Sequence, residues 1–269
     1  MRHSPALVAA IAAALASACH APGDASNVTK SAPSAVGSDS ASVKTANRGV
    51  QVEGARGNSR ITGSVLFRGP VPTFREPSAP FPECGARTPQ DPLRVSGDGH
   101  LANAFVYIKD GLPPGDYALP TAPVLLDQRG CDYLPRVFGI RAGQQLVIKN
   151  SDKLLHNVRS HADGAGLTQS ANSFNVAMPN EGMTLTKTFP EAQVPVALNC
   201  DVHPWMRAYG GVVAHPFFAV TGDDGAFSLS GLPAGTYTLE AWHERLGRTS
   251  MTIKLGADES ASAQLEFKP

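Results

Sequence analysis

The chain has 269 residues, enough for two domains of ordinary size or for one domain with tails. Its 23 Lys and Arg offset 23 Asp and Glu, which leaves no charge excess of the kind that nucleic acid or an anionic membrane surface selects. Only 17 % of residues are charged, whereas Gly (26) and Pro (22) are abundant, a balance that suits an all-β protein with many tight turns.

Residues 1–18 read as an export signal. Met1-Arg2-His3 is a short basic start, the apolar run at 6–16 is too short to span a bilayer as a helix, and Ala16-Ser17-Ala18 offers a small-residue cleavage site. The stretch LASAC, ending at Cys19, resembles a bacterial lipobox, although Ala16 stands where a leucine is usual. Either a lipid on Cys19 or plain secretion is expected, so the mature chain is a periplasmic, membrane-anchored or extracellular protein. Residues 19–58 are Ser, Ala, Gly, Thr and Asn with few large apolar side chains. Such a segment cannot bury enough surface to fold and is expected to be a flexible tether reaching roughly 35 Å.

Beyond the tether the pattern is short strands and turns. Residues 61–69 (ITGSVLFRG) alternate, and 102–111 (ANAFVYIKDG) are a β-rich run closed by a turn. Strands are expected next at 123–128, at 136–150 in two pieces about Ala142-Gly143, and at 156–161, 183–189, 194–200 and 211–215. From 217 onward, DDG and LPAG punctuate further short strands. The expectation is two β-sandwiches.

The motif NCDVHPWMRAY places Cys200, His203 and Met206 three residues apart on one loop. Thiolate, imidazole and thioether are soft or borderline donors, which favour copper over calcium, magnesium or manganese. One Cys, two His and a weak axial Met make a trigonal electron-transfer copper site, so a second histidine is required upstream, and His156 in KNSDKLLHNV fits. Zinc also takes Cys and His, but its structural sites want four strong ligands and do not use Met. A Cys–His nucleophilic pair would need an orienting group that is not evident. In an exported chain the four cysteines can then be assigned. With Cys19 lipidated and Cys200 on metal, Cys84 and Cys131 remain to pair; the alternative pairs Cys200 with one of them.

These residues resemble a known family. The stretch from about 122 to 215 is similar to the cupredoxins, of the amicyanin type, on the motif Cys200-Asp201-Val202-His203-Pro204-Trp205-Met206-Arg207 and on Asn150, His156, Asn157 and Val158 upstream. The resemblance implies one copper, cycling between Cu(I) and Cu(II), with His156, Cys200 and His203 as strong ligands and Met206 as the axial one. It implies that Asn150 braces the ligand loop by hydrogen bonds. It also implies that an edge of His203 reaches the surface, with Pro204 and Trp205 forming an apolar patch for transient redox partners. The 161–182 segment is long for the family, and His161 and His215 are extra histidines, expected to face solvent or to be hydrogen-bonded, with a second, weaker metal position as the alternative for either.

A second resemblance covers 216–269. Asp224, Gly225, Phe227, Leu232, Pro233, Gly235, Tyr237 and Leu239 follow the pattern of the carboxypeptidase regulatory-like, transthyretin-like β-sandwich, a non-catalytic module. Its usual opening strands resemble those at 61–65 and 104–108, before the copper segment. Residues 59–121 are therefore expected to belong to this sandwich, with the cupredoxin at 122–215 inserted and a Cys84–Cys131 bridge tying the parts. His243 is expected to be an ordinary hydrogen-bonded histidine. Such combinations resemble exported bacterial proteins labelled methylamine-utilisation-like, a label that gives no substrate. The expected function is a monomeric copper protein that shuttles single electrons; the alternatives are copper storage or delivery, or a carbohydrate- or protein-binding module with structural copper. An enzyme is not expected, because the protein fills all four copper positions and none is left for substrate.

Overall fold

The computed structural model describes residues 57–74, 81–85, 90–162 and 170–269. The export signal, Cys19 and the tether as far as residue 56 lie outside the described residues. Gly57 and Asn58 already belong to the fold, since the Gly57 amide bonds the Gly231 carbonyl and the Asn58 amide bonds Asp258.

The chain is all-β. In chain order the strands are β1 (Ser59–Phe67), β2 (Phe105–Asp110), β3 (Val124–Gln128), β4 (Tyr133–Leu134), β5 (Val137–Arg141), β6 (Gln145–Asn150), β7 (His156–Ala162) and β8 (Phe174–Met178). They continue with β9 (Thr184–Thr188), β10 (Gln193–Asn199), β11 (Arg207–Val213), β12 (Phe218–Val220), β13 (Ala226–Leu232), β14 (Gly235–His243), β15 (Gly247–Leu255) and β16 (Ser260–Phe267). A single 3-10 turn occupies Pro82–Cys84, and no α-helix occurs among the described residues.

Strands β3 to β11 build one sandwich, from a sheet in the order β4-β3-β6-β9 and another in the order β5-β11-β10-β7-β8. The alternation of β6 sends Leu146 and Ile148 inward, where they meet Leu126, Phe138, Ile140, Val158 and Leu198. Pairing within this sandwich is mixed, with β3 parallel to β6 and β5 parallel to β11 among otherwise antiparallel neighbours. The β3–β4 hairpin turns at Gly130-Cys131, both at positive φ, as a two-residue turn that matches the twist of its strands.

The remaining strands build a second sandwich with its own core. Its sheets run β13-β1-β16 and β12-β2-β14-β15. Strand β1 lies antiparallel to β13 and parallel to β16, and β2 lies between β12 and β14, so this sandwich draws strands from both sides of 122–215.

Strand β2 reads as a continuous apolar run because both its faces are covered. Val106 and Ile108 enter the core of the second sandwich, while Phe105 and Tyr107 join Trp242, Val137 and Val213 in a smaller core between the two sandwiches. Glycines make this contact close: a Cβ on Gly211 would lie 2.4 Å from the Phe105 ring, and one on Gly139 2.3 Å from Phe218. A buried ion pair between Arg136 and Glu244 adds a polar tie at the same boundary.

His243, expected to be hydrogen-bonded, is so, and it is deeply buried as well. His243 is 1 % exposed, accepts a hydrogen bond from the Arg245 amide through Nδ1, and has no partner for Nε2 among the described residues. Burial, and then the positive Arg136 and Arg245, push its pKa down to about 4. His215, which accepts from the Phe217 amide, is pushed down to about 4 as well, by burial above all. The folded state therefore holds both neutral while the unfolded chain takes up protons near 6.5, so stability is full above that value and falls with pH until about 4. For His243 alone, urea midpoints taken at about pH 7 and about pH 5 should differ by roughly 2 kcal/mol of stability, and His243→Leu should remove that share of the slope.

Candidate metal centre

The start of one strand and the loop after another carry the candidate donors at one end of the first sandwich. His156 is the first residue of β7, not a residue of the preceding loop, and Cys200 directly follows β10. The loop from Cys200 to Met206 closes on itself: the Cys200 amide bonds the Met206 carbonyl, and the Met206 amide bonds the His203 carbonyl. His203 also points its own amide at the Cys200 sulfur, at 3.4 Å. The antiparallel pairing of β7 with β10 brings His156 beside this loop.

The result is convergence. The Nδ1 atoms of His156 and His203 face each other at 2.9 Å, and the Cys200 sulfur lies 3.8 Å from His203 Nδ1. One ligand atom from each of these three residues falls within 4.8 Å of the others, and all three residues are buried. Met206 is fully buried in the same core as Cys200. Two imidazole nitrogens and a sulfur turned toward one point, away from water, suit a soft or borderline metal such as copper.

Asp152 was absent from the sequence reading and proves central. Its Oδ2 lies 3.0 Å from His156 Nε2 and also accepts the Cys131 amide at 2.9 Å, while Oδ1 accepts the Gly130 amide at 2.8 Å. A carboxylate at Nε2 holds the proton there, which leaves the Nδ1 lone pair free to donate to a metal. The available signal was position, since a carboxylate four residues before a candidate ligand histidine can fold back onto it.

Asn150 and Asn157 divide the bracing between them. Asn150 is fully buried and donates to the Leu154 and Met178 carbonyls, while its Oδ1 accepts the Asp152 amide, so it shapes the loop leading to His156. The Cys200 loop is gripped instead by Asn157, whose Oδ1 accepts the Asp201 amide at 2.6 Å and lies 3.4 Å from the Cys200 sulfur. Asn157 Nδ2 donates to Asp201 and Asn175. Tyr133 is fully buried and donates its hydroxyl to the Asn157 carbonyl; burial, then the charges of Cys200 and Asp201, push its phenol well up.

The surface differs from expectation at His203. Its ring is 2 % exposed, because Phe81 lies edge-on to it at 5.0 Å and also packs on Trp205 at 5.2 Å. Phe81 is brought there by the Cys84–Cys131 disulfide. Trp205 is half-buried and donates Nε1–H to the Cys131 carbonyl, whereas Pro204 is exposed. Of the extra histidines, His161 receives a hydrogen bond from Asn199, and neither it nor His215 joins the His156, Cys200 and His203 group.

The chain matches no protein-family model and no curated protein. Among solved structures it is similar to a copper-containing nitrite reductase (NirK) from Thermus scotoductus SA-01, at 20 % identity over 38 % of this chain and 25 % of that one, with a TM-score of 0.30. It is also similar to a purple cupredoxin from Nitrosopumilus maritimus, at 23 % identity over 33 % of this chain and 98 % of that one, TM-score 0.29. Amicyanin from Paracoccus versutus is similar at 23 % identity over 40 % of this chain and 96 % of that one, TM-score 0.29. The chain thus spans a quarter of the nitrite reductase and nearly all of the two smaller proteins.

Asp152→Ala frees His156 Nε2 and releases the Gly130-Cys131 turn, so copper affinity measured by competition titration should fall about 10- to 100-fold. Asp152→Asn keeps an acceptor of the same shape and should recover part of the loss; equal affinity in all three chains would contradict the role given to Asp152.

Proposed function

We propose that this chain is an exported copper protein that carries single electrons, with His156, Cys200 and His203 as its strong ligands and Met206 as a weak axial one. The observation that supports it most is the convergence of the two Nδ1 atoms and the Cys200 sulfur in a buried pocket. Copper held there would supply one-electron exchange between Cu(I) and Cu(II). The protein's part is to keep the donors fixed: Asp152 sets the His156 ring, and Asn157 together with the closed backbone ring from Cys200 to Met206 sets the thiolate. With water kept from the donors and little room for them to move, both oxidation states meet the same surroundings.

Burial of the ligands weighs against storage or delivery, which calls for donors that a receiving protein can reach. Four protein donors leave no open position for substrate, which favours a carrier over an enzyme. On this reading residues 122–215 are the copper domain and the second sandwich is a non-catalytic, regulatory-like companion. The chain works as a monomer outside the cytoplasm, tethered through a lipidated Cys19 or free, and meets redox proteins in brief encounters that involve no nucleic acid.

Copper-loaded protein should show an intense visible band and cycle reversibly in a redox titration, and Cys200→Ser should abolish the band. Loss of copper on each reduction, or a band unchanged in the variant, would refute the electron-carrier assignment.

A further inference from the structure

We propose that the Cys84–Cys131 disulfide is a reducible latch: a dithiol reductant opens it, the strap of residues 81–85 lifts from His203, and the centre becomes open to copper exchange with soft ligands. This rests on the copper function proposed above and concerns when that site can be reached.

The strap is held over His203 mainly by this one covalent bond. Its 3-10 turn has no buried residue, and Pro82 and Glu83 are exposed. Its backbone bonds are internal, from the Cys84 amide to the Phe81 carbonyl and from the Gly85 amide to the Pro82 carbonyl. Apart from the disulfide, the described residues hold it through two Phe81 ring contacts, on His203 and on Trp205, and through the packing of Cys84 against the first sandwich's core. The anchor on the other side is firm. Cys131 is fully buried at φ 54, a left-handed conformation uncommon for a side chain with a Cβ, and Asp152 fixes it by accepting its amide. The disulfide also borders the metal centre, since ligand atoms of Cys84, Cys131 and His203 all lie within 4.8 Å of one another.

The two sulfurs differ in access, and this sets the direction of exchange. Cys84 is half-buried, whereas Cys131 is enclosed. The first thiolate of the reductant bonds to Cys84 Sγ while the Sγ–Sγ bond breaks and Cys131 leaves as a thiolate. The reductant's second thiol then attacks its own sulfur in the mixed disulfide, and Cys84 leaves. Two electrons and two protons pass from the dithiol to the two cysteines, and the reductant departs as a cyclic disulfide. Among the described residues, the strap then keeps its ring contacts and the packing of Cys84 against the first sandwich's core.

The test uses the full chain. One sample is treated with dithiothreitol and desalted without air; alkylation and mass mapping report Cys84 and Cys131. Each sample is loaded with Cu(I), and transfer to bicinchoninate is timed. Loss of the strap's ring contacts should speed transfer by about tenfold in Phe81→Ala with its disulfide intact; in the reduced chain the two freed thiols lie beside His203 and are themselves Cu(I) donors, so there the deciding readout is access to His203. Carbethoxylation of His203 in metal-free protein, mapped by mass, should rise in parallel and needs no copper. Equal transfer and equal His203 labelling across oxidised, reduced and Phe81→Ala chains would overturn the latch, as would a disulfide that dithiothreitol cannot reduce while the chain stays folded. Should Cys200→Ser hold Cu(I) as tightly as the native chain, the copper assignment itself fails, and the latch stands or falls on the His203 labelling.

Discussion

One carboxylate organises the candidate centre. Asp152 sits between His156 and the Gly130-Cys131 turn and accepts from both at 3.0 Å or less. Because it holds the proton on His156 Nε2, the Nδ1 lone pair is left facing His203 Nδ1, and a metal is the partner that suits all three converging donors. The same carboxylate keeps Cys131 in place for its disulfide, so the ligand ring and the strap share a foundation.

The second sandwich bears on the site through its framework. It covers one face of the β5–β11 pair with Phe105, Tyr107 and Trp242, and glycines at 139 and 211 let the Phe105 and Phe218 rings lie against the backbone. Strand β11 begins one residue after Met206, so the surface that anchors the companion sandwich also steadies the C-terminal end of the ligand loop. The Arg136–Glu244 pair, where both partners are buried, lies just before β5 and adds direction to an otherwise apolar contact.

Much of this was legible in the residues. The turn-rich composition and the alternation of runs such as 61–67 pointed to an all-β chain, and the spacing of Cys200, His203 and Met206 marked a soft-donor loop without any structure. His156 was singled out because copper chemistry calls for a second imidazole, and its Nδ1 lies 2.9 Å from that of His203. Other features were hidden for definite reasons. Strand β8 (FNVAM) is a five-residue run set among polar and Gly-rich residues, too short to stand out, and its pairing with β7 supplies what its length does not. The role of Phe81 depends on a cysteine pair 47 residues apart, and no local pattern encodes which ring that bridge will set on which histidine. The burial of His203 follows from the same bridge, and this is why a surface edge was expected there and is not found. The depth of His243 was not visible because its burial comes from elements distant in sequence, the Phe267 ring of β16 among them.

The most direct measurement is X-ray absorption at the copper edge on full-length protein loaded with one equivalent of Cu(II). The account predicts one thiolate sulfur and two imidazole nitrogens as the near neighbours of the metal, with the sulfur lost in Cys200→Ser and one imidazole lost in His156→Ala. A copper surrounded only by nitrogen and oxygen, with the same spectrum in both variants, would contradict it.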